Sequence, residues 1–275
     1  MNRCLGRAAR VAITFLVLSI LVRNTGADDV STGPKGINSQ GLALTGKGIT
    51  LGQLEIKRPG LPTKDTAGKS NTTVTPSAVF IAGTAVAFPA QQDIGVDSHA
   101  EGVAGIMIAK PPAPISVAPD ALLFSSTATI DMVDDRLSTQ RLITAGNGKI
   151  RAMNYSYGDG YNPPPPIDGN APISQFVDWS ASFHSILYVI AGNEGTGGYW
   201  PSDNYNGMTI GSSDIVGGTF LKVANRNELV TASNGRHLTA IIAPGETISM
   251  PDLGVDGAGK PAKQTKSGPV SPHHM

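Results

Sequence analysis

The stretch Asp97-SHAEGVAGIMI-Ala109 places His99 directly before a run of small and apolar residues that is long enough to form a helix. Small residues allow a helix to lie close to another backbone, and a helix that is apolar on nearly every side is usually buried. We therefore predict a buried helix. A histidine at its start is either a hydrogen-bonded core residue or a group that serves catalysis or metal binding.

Outward from this helix, the chain alternates between strand-like and helix-like patterns. Apolar runs predict strands at 48–55, 77–87, 121–125, 151–155, 187–191, 208–210 and 238–243. Helical spacing predicts further helices at 134–144 and 173–185, and four consecutive prolines place 159–170 in an exposed loop. This alternation indicates an α/β fold with a largely parallel sheet, whose active groups collect at the carboxyl ends of the strands.

Three polar residues fall at that end of predicted strands. Glu55 closes the strand at 48–55, Ser156 follows 151–155, and Asn193 follows 187–191. Each also has a purely structural interpretation. Glu55 is consistent with a solvated acid, with Asp65 as a rival for any catalytic role, and Asn193 is consistent with the cap of a Gly-Asn-Glu-Gly turn. The glycine-rich loop around Asn193 also suggests phosphate binding, but it lacks the GxGxxG spacing of a nucleotide site.

The first 27 residues have the pattern of an export signal. Arginines precede the 12-residue apolar stretch Val11–Val22, and Thr25-Gly26-Ala27 supplies small residues for cleavage. The apolar stretch is shorter than the ~20 residues that span a bilayer, although an uncleaved membrane anchor is the alternative. We expect a signal peptide at 1–27, a polar lead-in at 28–45 and one domain at 46–275, in a secreted or periplasmic protein.

Composition excludes several classes of protein. The single cysteine, Cys4, lies in the predicted signal, so the exported part holds no disulfide and no thiolate metal site. Without the signal, 17 basic and 21 acidic residues leave a net charge of about −4 and no basic patch typical of nucleic-acid binding. With 33 glycines, 20 prolines and only 5% aromatic residues, short elements and tight turns are favoured over a helical bundle.

The motifs, taken in order, resemble those of the subtilisin-like serine peptidases, the subtilases. They read GKGITLGQLE, HAEGVAG, NYSYG, IAGNEG and IAPGE, and the resemblance extends from Gly46 to Gly268. It implies a subtilisin-like three-layer α/β fold with a largely parallel central sheet. It also implies a monomeric endopeptidase that acts on polypeptides, without nucleic acid and without a membrane once the signal is removed. Bound calcium is plausible by the same analogy, but the resemblance assigns no ligands to it.

The resemblance also implies roles for individual residues. His99 matches the general base, and Glu55 falls where the family usually has an aspartate that orients the base. Asn193 matches the side-chain donor of the oxyanion hole. The segment Ser156-Tyr157-Gly158 matches the strand that pairs with an extended substrate and forms a wall of the first specificity pocket.

The sequence departs from the family pattern in three places. After His99, Ala100-Glu101-Gly102 stands where the family usually has Gly-Thr-His. The acid that orients the base is Glu55, where the family usually has an aspartate. The serine motif Gly-Thr-Ser does not occur, and Ser271 near the end is not in that context. Without a serine on the turn that presents it, an acid–base pair does not make a protease.

The ending Gly268-PVSPHH-Met275 permits a single-base explanation of the missing motif. Among the codings that the sequence allows is GGT CCA GTT TCG CCG CAC CAC ATG. One added base gives GGT ACC AGT TTC GCC GCA CCA CAT G, which reads Gly-Thr-Ser-Phe-Ala-Ala-Pro-His. We therefore expect a truncated or frameshifted ending, in which the C-terminal helix and strands of the fold are missing. Such a chain would be inactive and poorly folded as written.

Three functions compete at this point. The first is an exported subtilase-type serine endopeptidase, with the serine absent from this chain. The second is a non-catalytic relative that keeps the cleft and binds extended peptides. The third, a nucleotide-binding α/β enzyme, rests only on the glycine-rich loop around Asn193.

Overall fold

A computed structural model describes residues 41–56, 59, 84–86, 98–108, 116–128, 132–158, 166–192, 199–216, 219–222, 232–244, 248–252 and 264–268. The helices in these ranges are α1 (Ser98–Ile108), α2 (Met132–Ala145) and α3 (Pro172–His184). The strands are β1 (Thr50–Ile56), β2 (Thr84–Val86), β3 (Leu122–Ala128), β4 (Ile150–Tyr155), β5 (Leu187–Ala191), β6 (Met208–Val216), β7 (Thr219–Lys222), β8 (Thr239–Pro244), β9 (Ile248–Asp252) and β10 (Gln264–Gly268).

One eight-stranded sheet organises the described residues. Its strands lie in the order β2-β3-β1-β4-β5-β6-β7, and β8 also pairs with β6. Every pairing in this sheet is parallel except that of β6 with β7, while β9 and β10 form a separate antiparallel pair. The predicted α/β fold with a largely parallel sheet is confirmed.

Most of the hydrophobic core lies on one face of the sheet, beneath α2 and α3. Buried side chains of β1, β4 and β5 meet buried side chains of the two helices there. Its members are Leu54, Ala128, Leu142, Ile143, Ile150, Met153, Tyr155, Tyr157, Val177, Ala181, Ile186, Tyr188 and Ile190. Because successive strand residues point to opposite faces, Gln53 and Glu55 point away from this core.

Helix α1 covers the other face. It contacts β1, β3 and β9, and its small residues Ala100 and Ala104 are fully buried. The predicted buried helix after His99 is therefore confirmed. On the same face of the sheet, side chains of β4 and β5 are more exposed: Ala152 and Val189 are only half-buried. Helices on both sides of the sheet give three layers.

Several element boundaries differ from the sequence prediction. The strand predicted at 208–210 continues to Val216, because its polar second half pairs with both β7 and β8. Of the strand predicted at 77–87, only Thr84–Val86 lies within the described residues, where it forms β2. The predicted signal peptide lies outside the described residues. No helix in the described ranges is long and apolar enough to cross a membrane.

Candidate active site

An acid and a base meet at the carboxyl end of β1. Glu55 is the residue before the last in β1, and His99 is the second residue of α1. The His99 Nδ1 atom lies 3.4 Å from the Glu55 Oε2 atom. The glutamate side chain is 2% exposed, whereas the histidine side chain is 34% exposed. The pair therefore has a buried acid and a base that reaches the surface.

This geometry suits a histidine that exchanges protons. A carboxylate that accepts a hydrogen bond from Nδ1 places the proton there and leaves Nε2 as the basic nitrogen. The two sequence-predicted residues thus come together in an arrangement that can hold and release a proton.

A third residue of the same strand reaches the helix. Gln53, two residues before Glu55 and on the same face, is fully buried. Its Nε2 atom donates a hydrogen bond of 2.9 Å to the carbonyl oxygen of Ala100, the residue after His99. Sequence reasoning missed this contact. The only signal was that Gln53 breaks the apolar pattern in the middle of the strand.

The segment Ser156–Gly158 lies beside the acid–base pair. Leu54 of β1 is in register with Tyr155 of β4, so the chain that follows Tyr155 emerges next to Glu55. The Asn154 Nδ2 atom donates to the Ser156 Oγ atom at 2.8 Å. A Cβ atom on Gly158 would lie 2.6 Å from the Cβ atom of Tyr199, so only glycine fits this approach.

The side chain of Tyr157 points into the core. It is 8% exposed, and its hydroxyl group donates to the Asp135 Oδ2 atom of α2 at 3.0 Å. Its ring meets the Tyr155 ring edge-to-face, with 5.5 Å between centroids. The side chain of Tyr157 therefore anchors this segment to α2.

Two other candidate residues, Asn193 and Asp65, lie outside the described residues. Gly192, which precedes Asn193, is described. Its N–H group donates to the Ile210 carbonyl oxygen at 2.7 Å, and an added Cβ would lie 2.7 Å from that same oxygen. The chain is therefore pressed against β6 at Gly192, directly before Asn193.

No metal centre is evident in the described ranges. They contain no group of three or more His, Cys, Asp or Glu side chains that could hold a metal ion. The bound calcium that the subtilase resemblance suggests stays a prediction.

Comparison with known proteins supports the fold. No family model matches the chain, and no curated protein matches it. Solved structures do match. The prenylagaramide maturation protease PagA has a TM-score of 0.55 and 16% identity, over 90% of this chain and 75% of that one. The MycP3 protease from the type VII (ESX-3) secretion system has a TM-score of 0.54 and 16% identity, over 90% of this chain and 73% of that one. The subtilase cytotoxin SubAB structure has a TM-score of 0.53 and 16% identity, over 88% of this chain and 77% of that one. The chain has a subtilisin-like fold.

Proposed function

We propose that this chain derives from an exported serine endopeptidase of the subtilase type, in which Glu55 and His99 are the acid and base of the catalytic triad. The observation that carries the proposal is the 3.4 Å approach of His99 Nδ1 to the buried Glu55 carboxyl group, at the carboxyl end of a parallel sheet. The likeness in fold to proteases supports it.

The reaction would follow from these positions once a serine is supplied. His99 Nε2 takes the hydroxyl proton as the serine oxygen attacks the peptide carbonyl carbon. The same imidazole then gives the proton to the leaving amine, while Glu55 stabilises the imidazolium. Asn193 donates a hydrogen bond to the oxyanion, and the backbone of Ser156–Gly158 pairs with the extended peptide.

The serine itself is proposed to lie in the alternative reading of the residues from Gly268 onward. A helix that follows Gly-Thr-Ser would have apolar surface to cover, since the α1-side residues of β4 and β5 are only half-buried. Sequencing the gene through its stop codon tests this step. If no single-base change opens a Gly-Thr-Ser frame, the proposed origin of the serine is wrong.

The catalytic assignment is tested in the chain with that one base added. We expect peptide hydrolysis that His99→Ala abolishes and that Glu55→Gln lowers by up to about 10⁴, because the imidazole then loses its orienting carboxylate. Full activity of the Glu55→Gln variant would refute the role of Glu55, and Asp65 would be the next candidate. Export is tested separately, since N-terminal sequencing of secreted material should begin near Asp28.

A non-catalytic peptide-binding protein is the second candidate. It is favoured by the geometry of the Ser156–Gly158 segment, in which the Asn154 side chain holds Ser156 next to the end of β1. Binding of extended peptides to the chain as written, without cleavage and without an alternative serine frame in the gene, would support this function over the first.

A further inference from the structure

We propose that Gln53 is a positioning residue that fixes α1 on β1 and so aligns His99 with Glu55. This inference rests on the proposed function of that pair. It starts from two contacts between the same strand and the same helix. The Glu55 side chain meets the His99 side chain, and the Gln53 side chain meets the backbone of the next residue, Ala100.

The two contacts restrain different parts of the helix: one joins two side chains, and the other joins a side chain to the helix backbone. A pair of side chains can swivel together when the helix shifts, so the Glu55–His99 contact alone does not fix where the helix lies. A hydrogen bond from the strand to a backbone carbonyl of the first helical turn does fix it. Gln53 and Glu55 are two residues apart on one face of β1, about 7 Å along the strand. His99 and Ala100 are adjacent in α1, so the amide contact sets the position from which the imidazole reaches Glu55.

The surroundings of α1 make such a restraint useful. Three residues of α1 are fully buried: Ala100 and Ala104 near the catalytic end have no long side chain that would interlock with the strands, and the one large side chain, Ile108, lies at the far end of the helix. Smooth, small-residue contacts resist sliding less than interdigitated ones. A directional hydrogen bond at the catalytic end of the helix supplies what the apolar packing does not.

A buried glutamine at position 53 gives the fold little stability of its own. It is fully buried, yet its Oε1 atom has no hydrogen-bond partner in the part of the chain that the structure describes. An unpartnered buried polar atom costs free energy, and this cost offsets the net stabilisation that the hydrogen bond to Ala100 contributes. The residue therefore suits a role in geometry better than a role in holding the domain together.

The experiment compares Gln53→Met with Ser125→Ala in the chain with the one base added, because the chain as written is expected to fold poorly. Methionine keeps the length and apolar volume of glutamine but cannot donate to Ala100. Ser125 is the matched control, because it is the in-register neighbour of Gln53 on β3 and is likewise fully buried with an unpartnered Oγ in the described ranges. The first readout is the nuclear magnetic resonance signal of the His99 Nδ1 proton, assigned by its loss in His99→Ala. The second is the urea midpoint of unfolding.

We expect Gln53→Met to lose the Nδ1 proton signal while its urea midpoint stays the same or rises. Ser125→Ala should keep both the signal and the midpoint. The proposal is overturned if Gln53→Met keeps the signal at parental intensity, if it fails to fold, or if Ser125→Ala loses the signal as well. In the chain with the restored serine frame, Gln53→Met should lower kcat by about 10²-fold, as a misplacement of ~1 Å can do. Absence of hydrolysis in that parent chain would count against the proposed function, and the ring signal would still test the positioning role.

Discussion

The hydrogen bond between Tyr157 and Asp135 allows a quantitative test of how the segment beside the acid–base pair is anchored. Replacing Tyr157 by phenylalanine removes one oxygen atom and keeps the ring that packs edge-to-face on Tyr155. The lost bond is 3.0 Å long, and its acceptor is a carboxyl group on a fully buried aspartate. Hydrogen bonds to charged groups contribute about 1.5–3 kcal/mol, and we expect the free energy of unfolding to fall by that amount.

Tyr188→Phe is the matched control. The Tyr188 hydroxyl group lies 2.7 Å from the Ser180 Oγ atom, so it also bonds within the core but to a neutral partner. A neutral hydrogen bond contributes about 1 kcal/mol. Urea unfolding followed by tryptophan fluorescence measures both variants. If Tyr157→Phe loses no more stability than Tyr188→Phe, the interpretation of the Asp135 contact as a charge-assisted anchor is wrong.

Two further predictions concern alkaline stability and the turn after β5. Burial raises the pKa of Tyr155 well above its usual value and also raises the pKa of Tyr188. Because the folded state keeps both tyrosines neutral, they stabilise the fold fully below the unfolded pKa of about 10. This stabilisation is lost as the pH rises from there through the higher pKa values of the folded state, so the urea midpoint should fall from about pH 10 upward. A midpoint that is flat to pH 12 would contradict this. Gly192→Ala should destabilise the chain by about 1–3 kcal/mol, because its Cβ would lie 2.7 Å from the Ile210 carbonyl oxygen. An unchanged midpoint would show that the turn can shift freely.

Periodicity predicted most of the strands and helices, because burial on one face or both leaves a regular apolar pattern. The pairing of His99 with Glu55 was expected only from the resemblance to the subtilases, and apolar spacing alone would not have indicated it. The Gln53 contact could not be predicted in the same way. A polar residue in the middle of a strand indicates an exception to the apolar pattern, but it does not indicate the backbone carbonyl that it meets 47 positions later.

The orientation of Tyr157 was also hidden from the sequence. The subtilase resemblance predicts that Ser156-Tyr157-Gly158 pairs with a substrate, but the sequence alone does not indicate which way the ring of Tyr157 points. The partner that decides the matter, Asp135, is 22 residues away on a helix of the opposite layer. The β9–β10 pair was missed because segments such as Gln264–Gly268 lack the apolar alternation of a half-buried strand.

The alternation along β1 implies that this strand tolerates changes of residue type better than changes of length. Leu54 faces the tyrosine-rich core, while Gln53 and Glu55 face α1. Deleting or inserting one residue before Gln53 would rotate every following side chain to the other face. The acid would then enter the core, and Leu54 would lie opposite His99. Single-residue insertions and deletions scanned through 50–55 should therefore abolish folding, whereas apolar exchanges at Leu54 should be accepted.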